Sequence, residues 1–368
     1  MSDETPRGPS ALLATSQFAG IAGSELVLLE LAEQLIARGW RCDILAAWAD
    51  EPMRGLARAA GATVIGKPAE VRPLTYDMVW IQTRLEAAMD YAPGPDEAPR
   101  TFFAFAHLDL KWSLTQPGPV LEPLLADAYV VTSEEARDHF AAAGLESAKI
   151  RLFRNAAPAT FVPGEGRPID LRRLLIVSNH APAEVAEAAD LLRADGVEVV
   201  RMGKGGDLEG RRIEPADLQG ADAVLTIGKT VPYALAARVP VFVYDHLGGP
   251  GWLSAETFQP AMRTNFSGRC CGRRLGAEAL AEEVKAGFAD AAVYARSLSE
   301  AGLESFRLEP FVDGLVEASR TGPTPRERRA RLTPHAAAIA GEQQLTRAAN
   351  HYLAAWRRAV KKSDAGGV

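Results

Sequence analysis

The residues in this chain whose type and position could do chemistry mostly follow short apolar runs. His107 ends the run TFFAFAH and precedes Leu108-Asp109; an imidazole there could hydrogen-bond a hydroxyl or polarise a reacting oxygen, or simply be a satisfied structural histidine. Ser178-Asn179-His180 ends another run just before Pro182. Asn179 can cap the helix that follows, and His180 can meet a base or a phosphate. The turn Gln17-Phe18-Ala19-Gly20-Ile21-Ala22-Gly23-Ser24-Glu25 joins a first strand to a first helix. Gly20 and Gly23 let backbone approach a ligand, and a helix start offers free N–H groups to anions or hydroxyls. In the alternative reading this is a tight turn, with Glu25 complementing the helix dipole. The spacing Gly20-x-x-Gly23 is not G-x-G-x-x-G, which argues against a dinucleotide.

The richest stretch runs Ile227-Gly228-Lys229-Thr230-Val231-Pro232-Tyr233. A strand ending at Gly228 and a helix from Thr230 would gather amides, a hydroxyl and the Lys229 ammonium into a pyrophosphate seat, with Tyr233 one turn on. A Walker A loop would need a further Gly at position 223, which is Ala223. Downstream, Asp245-His246 leads into Gly248, Gly249, Pro250 and Gly251, a sharply shaped loop that can lie close to a ligand. Asn265-Phe266-Ser267-Gly268-Arg269 reads as a second ligand loop or as a turn. The basic run Arg326, Arg328, Arg329 and Arg331 reads as a solvated face. Together with Arg357, Arg358, Lys361 and Lys362 it reads alternatively as contact with anionic lipid headgroups.

Two series of apolar runs must position these residues. The first comprises 11–15, 42–47, 62–65, 78–81, 101–106 and 128–132. Between the first two, residues 24–38 place Val27, Leu28, Leu31 and Leu35 on one helical face, with Glu30, Glu33 and Arg38 free to face water, and Gly39 ends the helix. Runs this apolar, without alternation, suit parallel strands covered on both faces. The Pro- and Gly-bearing stretch 159–172 reads as a linker. A second series, 174–177, 197–200, 223–227 and 239–244, is spaced by helical segments such as 182–192. The expectation is an α/β protein with two Rossmann-like doubly wound domains: 1–160, 171–320, and then a basic segment and amphipathic C-terminal helix over 321–368. In such folds ligands bind outside the carboxyl ends of the strands.

Composition narrows the function. At 368 residues, with 47 % hydrophobic and 24 % charged residues, the chain has the make-up of a globular protein of about two domains. A net charge of −6, with no dense Lys/Arg segment interleaved with aromatics, argues against nucleic acid as a partner. Three cysteines, Cys42, Cys270 and Cys271, build neither a disulfide framework nor a Cys-x-x-Cys site and suggest a reducing, cytoplasmic setting. The opening MSDETPRGPS lacks the order of a signal peptide, and no apolar run approaches the roughly 18 residues that span a bilayer. The six His are scattered and the acidic pairs lack ligand spacing, so neither metal nor cofactor is expected.

Four segments, in order, carry a resemblance: Ala22-Gly23-Ser24-Glu25 with Leu31-Ala32 and Ala37-Arg38-Gly39-Trp40; Ala126-Asp127-Ala128-Tyr129-Val130-Val131-Thr132-Ser133; Lys149-Ile150 with Arg154-Asn155-Ala156; and Ala234-Leu235-Ala236-Ala237-Arg238-Val239-Pro240-Val241. They resemble the GT-B glycosyltransferases of the large bacterial group that uses nucleotide-sugar donors. The resemblance implies transfer of a sugar from a nucleoside diphosphate to a glycan, lipid-linked or protein acceptor. It further implies that His107 holds a functional position; the cysteine count and the basic segments place the expected protein in the cytoplasm or at the inner face of the membrane. The chain departs from that family at the Glu pair that holds the donor, where Leu225 and Tyr233 stand, and at a diphosphate-neutralising Arg and Lys, replaced by Ser178-Asn179-His180. Lys229 and Thr230 are left to meet the diphosphate. The alternatives are a nucleotide-sugar 2-epimerase and a non-catalytic sugar-nucleotide or glycan binding protein.

Overall fold

The computed structural model describes residues 7–164 and 170–365. Residues 1–6, 165–169 and 366–368 lie outside the described residues; the start of the N-terminal segment and the middle of the expected linker fall there.

The first sheet is built from β1 (Ser10–Phe18), β2 (Arg41–Ala49), β3 (Thr63–Ile65), β4 (Met78–Ile81), β5 (Phe102–His107), β6 (Ala128–Val131) and β7 (Ile150–Leu152). Its order is β3-β2-β1-β4-β5-β6-β7, with every pairing parallel. The second sheet holds β8 (Arg173–Val177), β9 (Glu198–Met202), β10 (Ala223–Thr226), β11 (Val241–Asp245) and β12 (Gly248–Trp252), in the order β12-β11-β10-β8-β9. Successive side chains of a strand point to opposite faces, and here both faces are apolar. Leu13, Ile44 and Trp80 enter one buried cluster while Leu12, Leu45 and Val79 enter the other. The second sheet divides likewise, Val224 and Val243 to one side and Leu225 and Phe242 to the other. This two-sided burial explains why the runs lack alternation.

Three features depart from the sequence expectation. The short, partly exposed β7 carries no strong apolar signal. The stretch after Asp245-His246, expected to be a ligand loop, is β12, which pairs antiparallel with β11. Its glycines serve close backbone packing: a Cβ on Gly248 would lie 2.0 Å from the Arg273 carbonyl oxygen, and one on Gly249 2.0 Å from that of Val243. The third departure is the boundary at 320. The chain crosses back where Ala157 N–H donates to the Phe306 carbonyl (2.7 Å) and Leu308 N–H to that of Ala157 (2.9 Å). The helix Leu308–Ser319 then buries Leu308, Val312 and Leu315 in the first lobe, beside the helix Gly23–Ala37.

The basic run is likewise not one solvated or lipid-facing surface. Thr324 caps the helix Pro325–Leu332 in a capping box with Glu327. Arg326 and Arg331 are exposed, but Arg328 is fully buried. It donates to the carbonyl oxygens of Thr101 (2.7 Å) and Leu125 and to the Asp127 carboxylate, over the Phe103 ring. Arg329 pairs with Glu97. Truncating one member of a buried, hydrogen-bonded ion pair strands the other, at about 3–5 kcal/mol. Arg328→Ala is therefore expected to lower unfolding free energy by about that amount in denaturant titration; Arg326→Ala, on the exposed face, should leave the midpoint unchanged.

Candidate functional site

A cleft of about 500 Å³ opens between the lobes at the carboxyl ends of β1, β4 and β5. The strand order reverses between β1 and β4, the crevice where doubly wound sheets bind ligands. Thr15 and Gln17 come from the end of β1, Gly23, Ser24 and Glu25 from the start of the first helix, and Gln82 and Thr83 from the residues after β4. Asp109, Trp112 and Thr115 follow β5, Asn155 follows β7, and the second lobe supplies Lys229 and Asn265.

Much of this wall is held rigid. Ser24 Oγ donates to Glu25 Oε2 (2.5 Å), and Gln82 Nε2 donates to the Ser24 carbonyl (2.9 Å) while Gln82 Oε1 accepts from Trp80 Nε1 (3.2 Å). Glu25 is only 5 % exposed, and burial pushes its carboxyl above the ordinary value despite the Ser24 hydroxyl. The helix Gly23–Ala37 starts at the cleft without a side-chain cap, and its first amides have no intrahelical acceptor. Asp109 Oδ1 accepts from the amides of Lys111 (2.7 Å) and Trp112 (2.6 Å), and the Thr115 hydroxyl donates to the carbonyls of Asp109 (2.9 Å) and Trp112 (2.8 Å). Trp112 stays 44 % exposed.

His107 is not part of the cleft lining. Its Nδ1 donates to the Thr115 carbonyl (2.7 Å), and its Nε2 lies 2.9 Å from Glu122 Oε1, whose other oxygen accepts from Gly118 N–H. Both ring nitrogens are therefore occupied and the ring is 4 % exposed against Phe140. It fastens the loop that carries Asp109 and Trp112; it has no free nitrogen for a substrate.

The expected pyrophosphate seat is also filled. Lys229 Nζ donates to Glu30 Oε2 (2.5 Å), to the Ala156 carbonyl (2.9 Å) and to the Asn155 carbonyl (3.3 Å), using all three of its protons. Tyr233 hydroxyl donates to Glu30 Oε1. Glu30 was expected to face water; the second lobe covers it to 5 % exposure. Burial pushes the Glu30 carboxyl up and the Lys229 ammonium down, each opposed by the other's charge. Thr230 is buried at the start of the short helix Thr230–Ala236.

Of the other sequence candidates, Gly23 lines the cleft, where a Cβ would meet Lys229 Cβ at 3.4 Å. Gly20 is exposed beside it. Asn179 acts as an inter-lobe strut: its Nδ2 donates to the Ile21 carbonyl (2.7 Å) and its Oδ1 accepts from Lys204 N–H (3.2 Å). His180 and His246 are exposed, and Asp245 accepts from the amides of Leu247 and Gly268 in a turn. Asn155 and Asn265, both in the left-handed backbone region, join the lobes through Asn155 Nδ2 and Asn265 Oδ1 (2.9 Å). Gln17, Gln82 and Thr83 were missed, although each sits at or just past a strand's carboxyl end. Among the described residues, no group of three or more His, Cys, Asp or Glu is arranged to hold a metal.

No family model matches the sequence, and no curated protein matches it. Solved structures do match. HepE of Anabaena in complex with UDP-glucose aligns with a TM-score of 0.54 at 13 % identity, over 84 % of this chain and 99 % of that one. A glycosyltransferase from Rickettsia africae aligns with a TM-score of 0.53 at 11 % identity, over 85 % of this chain and 98 % of that one. The chain has the GT-B fold. The expected pair of Rossmann-like lobes is therefore present, with its C-terminal helices returned to the first lobe.

Two outcomes follow from the buried charges. Lys229→Ala should cost about 3–5 kcal/mol of stability, because it strands Glu30, whereas Glu30→Gln with Lys229→Met should recover most of that. Calorimetric unfolding of the three proteins checks this. Beneath the His107 loop, Glu86 is 1 % exposed with no partner on either carboxyl oxygen, and burial and the neighbouring Glu122 and Glu342 push it up to about 8. The folded state thus binds a proton that the unfolded chain has released above its ordinary value of 4.5. Its contribution is complete below that value and is lost as pH rises toward about 8. Thermal midpoints should therefore fall over that window, and Glu86→Gln should flatten the slope.

Proposed function

We propose that the protein transfers a glycosyl group from a nucleoside-diphosphate sugar to a hydroxyl of a glycan, lipid-linked or protein acceptor, within the inter-lobe cleft. The observation that carries this reading is the lining of the cleft. Thr15, Gln17, Gln82, Thr83, Asn155 and Asn265 surround about 500 Å³ beside the uncapped helix start at Gly23; Gln82 is spent on Trp80 and Ser24, whereas the Gln17 amide, the Thr83 hydroxyl proton, Asn155 Oδ1 and Asn265 Nδ2 are the groups left to face it. Neutral donors and acceptors suit saccharide hydroxyls, the Trp112 ring suits an apolar sugar face, and free helix amides suit a diphosphate. A structural neighbour that holds UDP-glucose supports the donor class. All three cysteines are free, which supports a reaction in the cytoplasm.

In this reading Glu25 replaces Lys229 as the group that meets the leaving diphosphate. Burial raises the proton affinity of the Glu25 carboxyl, and its protonated form would donate a hydrogen bond to a phosphate oxygen beside the helix start. His107 is a positioning residue behind the Asp109–Trp112 loop. A second reading, nucleotide-sugar epimerisation, is favoured by one observation: two carboxyl groups, Glu25 and Asp109, line the same cleft.

Incubation with a panel of nucleotide sugars separates the readings. Release of free nucleoside diphosphate supports transfer, interconversion of two nucleotide sugars supports epimerisation, and calorimetric binding without turnover leaves a binding protein. UDP affinity should fall as pH rises and Glu25 loses its proton. Glu25→Gln should abolish that dependence, and Glu25→Ala should weaken UDP about tenfold, the worth of one hydrogen bond to a charged group. Unchanged affinity in Glu25→Ala refutes the assignment.

A further inference from the structure

The last helix, Ala336–Ala365, is docked at its start and carries exposed large apolar side chains further on. At its start Ile339 packs on the first-lobe core, and the buried Glu342 accepts from Leu121 N–H (2.9 Å) and pairs with Arg84 (3.4 Å). Gln343 Nε2 donates to the Met89 carbonyl (3.5 Å). Beyond this anchorage Leu345, Tyr352 and Trp356 are 74 %, 73 % and 63 % exposed, the highest values among the exposed large apolar side chains. At about 100° per residue they fall within an arc of about 40°, a stripe about 16 Å long, with exposed Ala349 about 20° beyond its edge.

The charge on this segment is opposite to that of the chain. After Glu342 the helix carries Arg347, Arg357, Arg358, Lys361 and Lys362 against Asp364 alone, in a protein of net charge −6. The side chains of Arg357, Arg358, Lys361 and Lys362 lie outside the described residues. Among the described residues, no helix is long and apolar enough to cross a membrane. A Trp and a Tyr on one narrow apolar stripe, in a helix of net positive charge, have the chemistry of a segment lying in a headgroup layer.

We propose that this stripe docks on an anionic lipid surface and holds the first lobe against it. A second copy of the chain fits less well. Three side chains of about 150–250 Å² each fall short of the roughly 800 Å² per partner of a stable interface, and two such helices side by side would set like charges against each other. The docking stands on the helix alone. Its consequence, an acceptor carried by a membrane lipid, rests on the glycosyl-transfer reading and turns the lipid-linked acceptor into the preferred one.

Flotation of the full chain with phosphatidylcholine vesicles, with and without phosphatidylglycerol, tests the docking in the absence of any sugar nucleotide. Binding is expected only to the anionic vesicles and should weaken with salt. Tyr352→Ala with Trp356→Ala should lower the bound fraction about tenfold or more, and Trp356→Phe should remove a blue shift in emission that vesicles induce in the parent protein. Unchanged flotation in the double variant overturns the proposal. So does a dimer in light scattering that the same substitutions dissociate while vesicles fail to bind. UDP calorimetry on the double variant should match the parent, so a failure of docking and a failure of the donor reading are read on separate assays.

Discussion

The buried contact of Lys229 with Glu30 and Tyr233 is the constraint on which the rest of this structure depends. Glu30 sits on the helix that covers the first sheet, and Lys229 at the turn after β10. Neither charge can be withdrawn from water alone, so each lobe makes the other's charge tolerable only when the two are closed together. Lys229 also reaches the carbonyls of Asn155 and Ala156, the segment through which the chain leaves the first lobe. One ammonium thus ties three points of the first lobe to the second, beside the Asn179–Ile21 and Asn155–Asn265 contacts, and lines the cleft. Surface pairs of Arg212 with Glu33, Arg263 with Asp138 and Arg269 with Glu135 surround it, and exposed pairs of this kind add little.

This closure explains the chemistry of the cleft. With the Lys229 ammonium that lines it already neutralised, the walls present amides, hydroxyls, an aromatic ring and the carboxyl groups of Glu25 and Asp109. Burial raises the Glu25 carboxyl there, against the Ser24 hydroxyl that lowers it. Fold likeness at 13 % identity to a protein that holds UDP-glucose extends to the arrangement of the lobes; the chemistry of this site is set by its own residues.

The return of the chain to the first lobe builds a second layer of constraint. The helix Leu308–Ser319 completes the apolar cover of the first sheet, and Arg328 then ties the next helix to the carbonyls of Thr101 and Leu125. The last helix begins beside a buried acidic group of Glu86, Glu122 and Glu342, under the loop that His107 fastens. The C-terminal helices, the cleft loop and the exposed Tyr352 and Trp356 stripe thereby share one lobe.

Local pattern was enough to place the parallel strands other than the partly exposed β7, and the first helix, because two-sided burial demands uninterrupted apolar runs and helix periodicity depends on near neighbours alone. It was also enough to indicate two doubly wound lobes and the strand ends as the place for a site. Local pattern could not tell a ligand loop from β12, since glycines that admit a ligand and glycines that admit another strand read alike. Nor could it show that Lys229 would be saturated by Glu30, almost two hundred residues away in sequence, or that Arg328 would be buried while Arg326 stays in water. The amino-acid sequence by itself determined the elements and their apolar faces. Only the tertiary structure decided which polar groups spend their hydrogen bonds on one another and which remain for a ligand, because that choice is made by partners that chain folding, and not proximity along the chain, brings within reach.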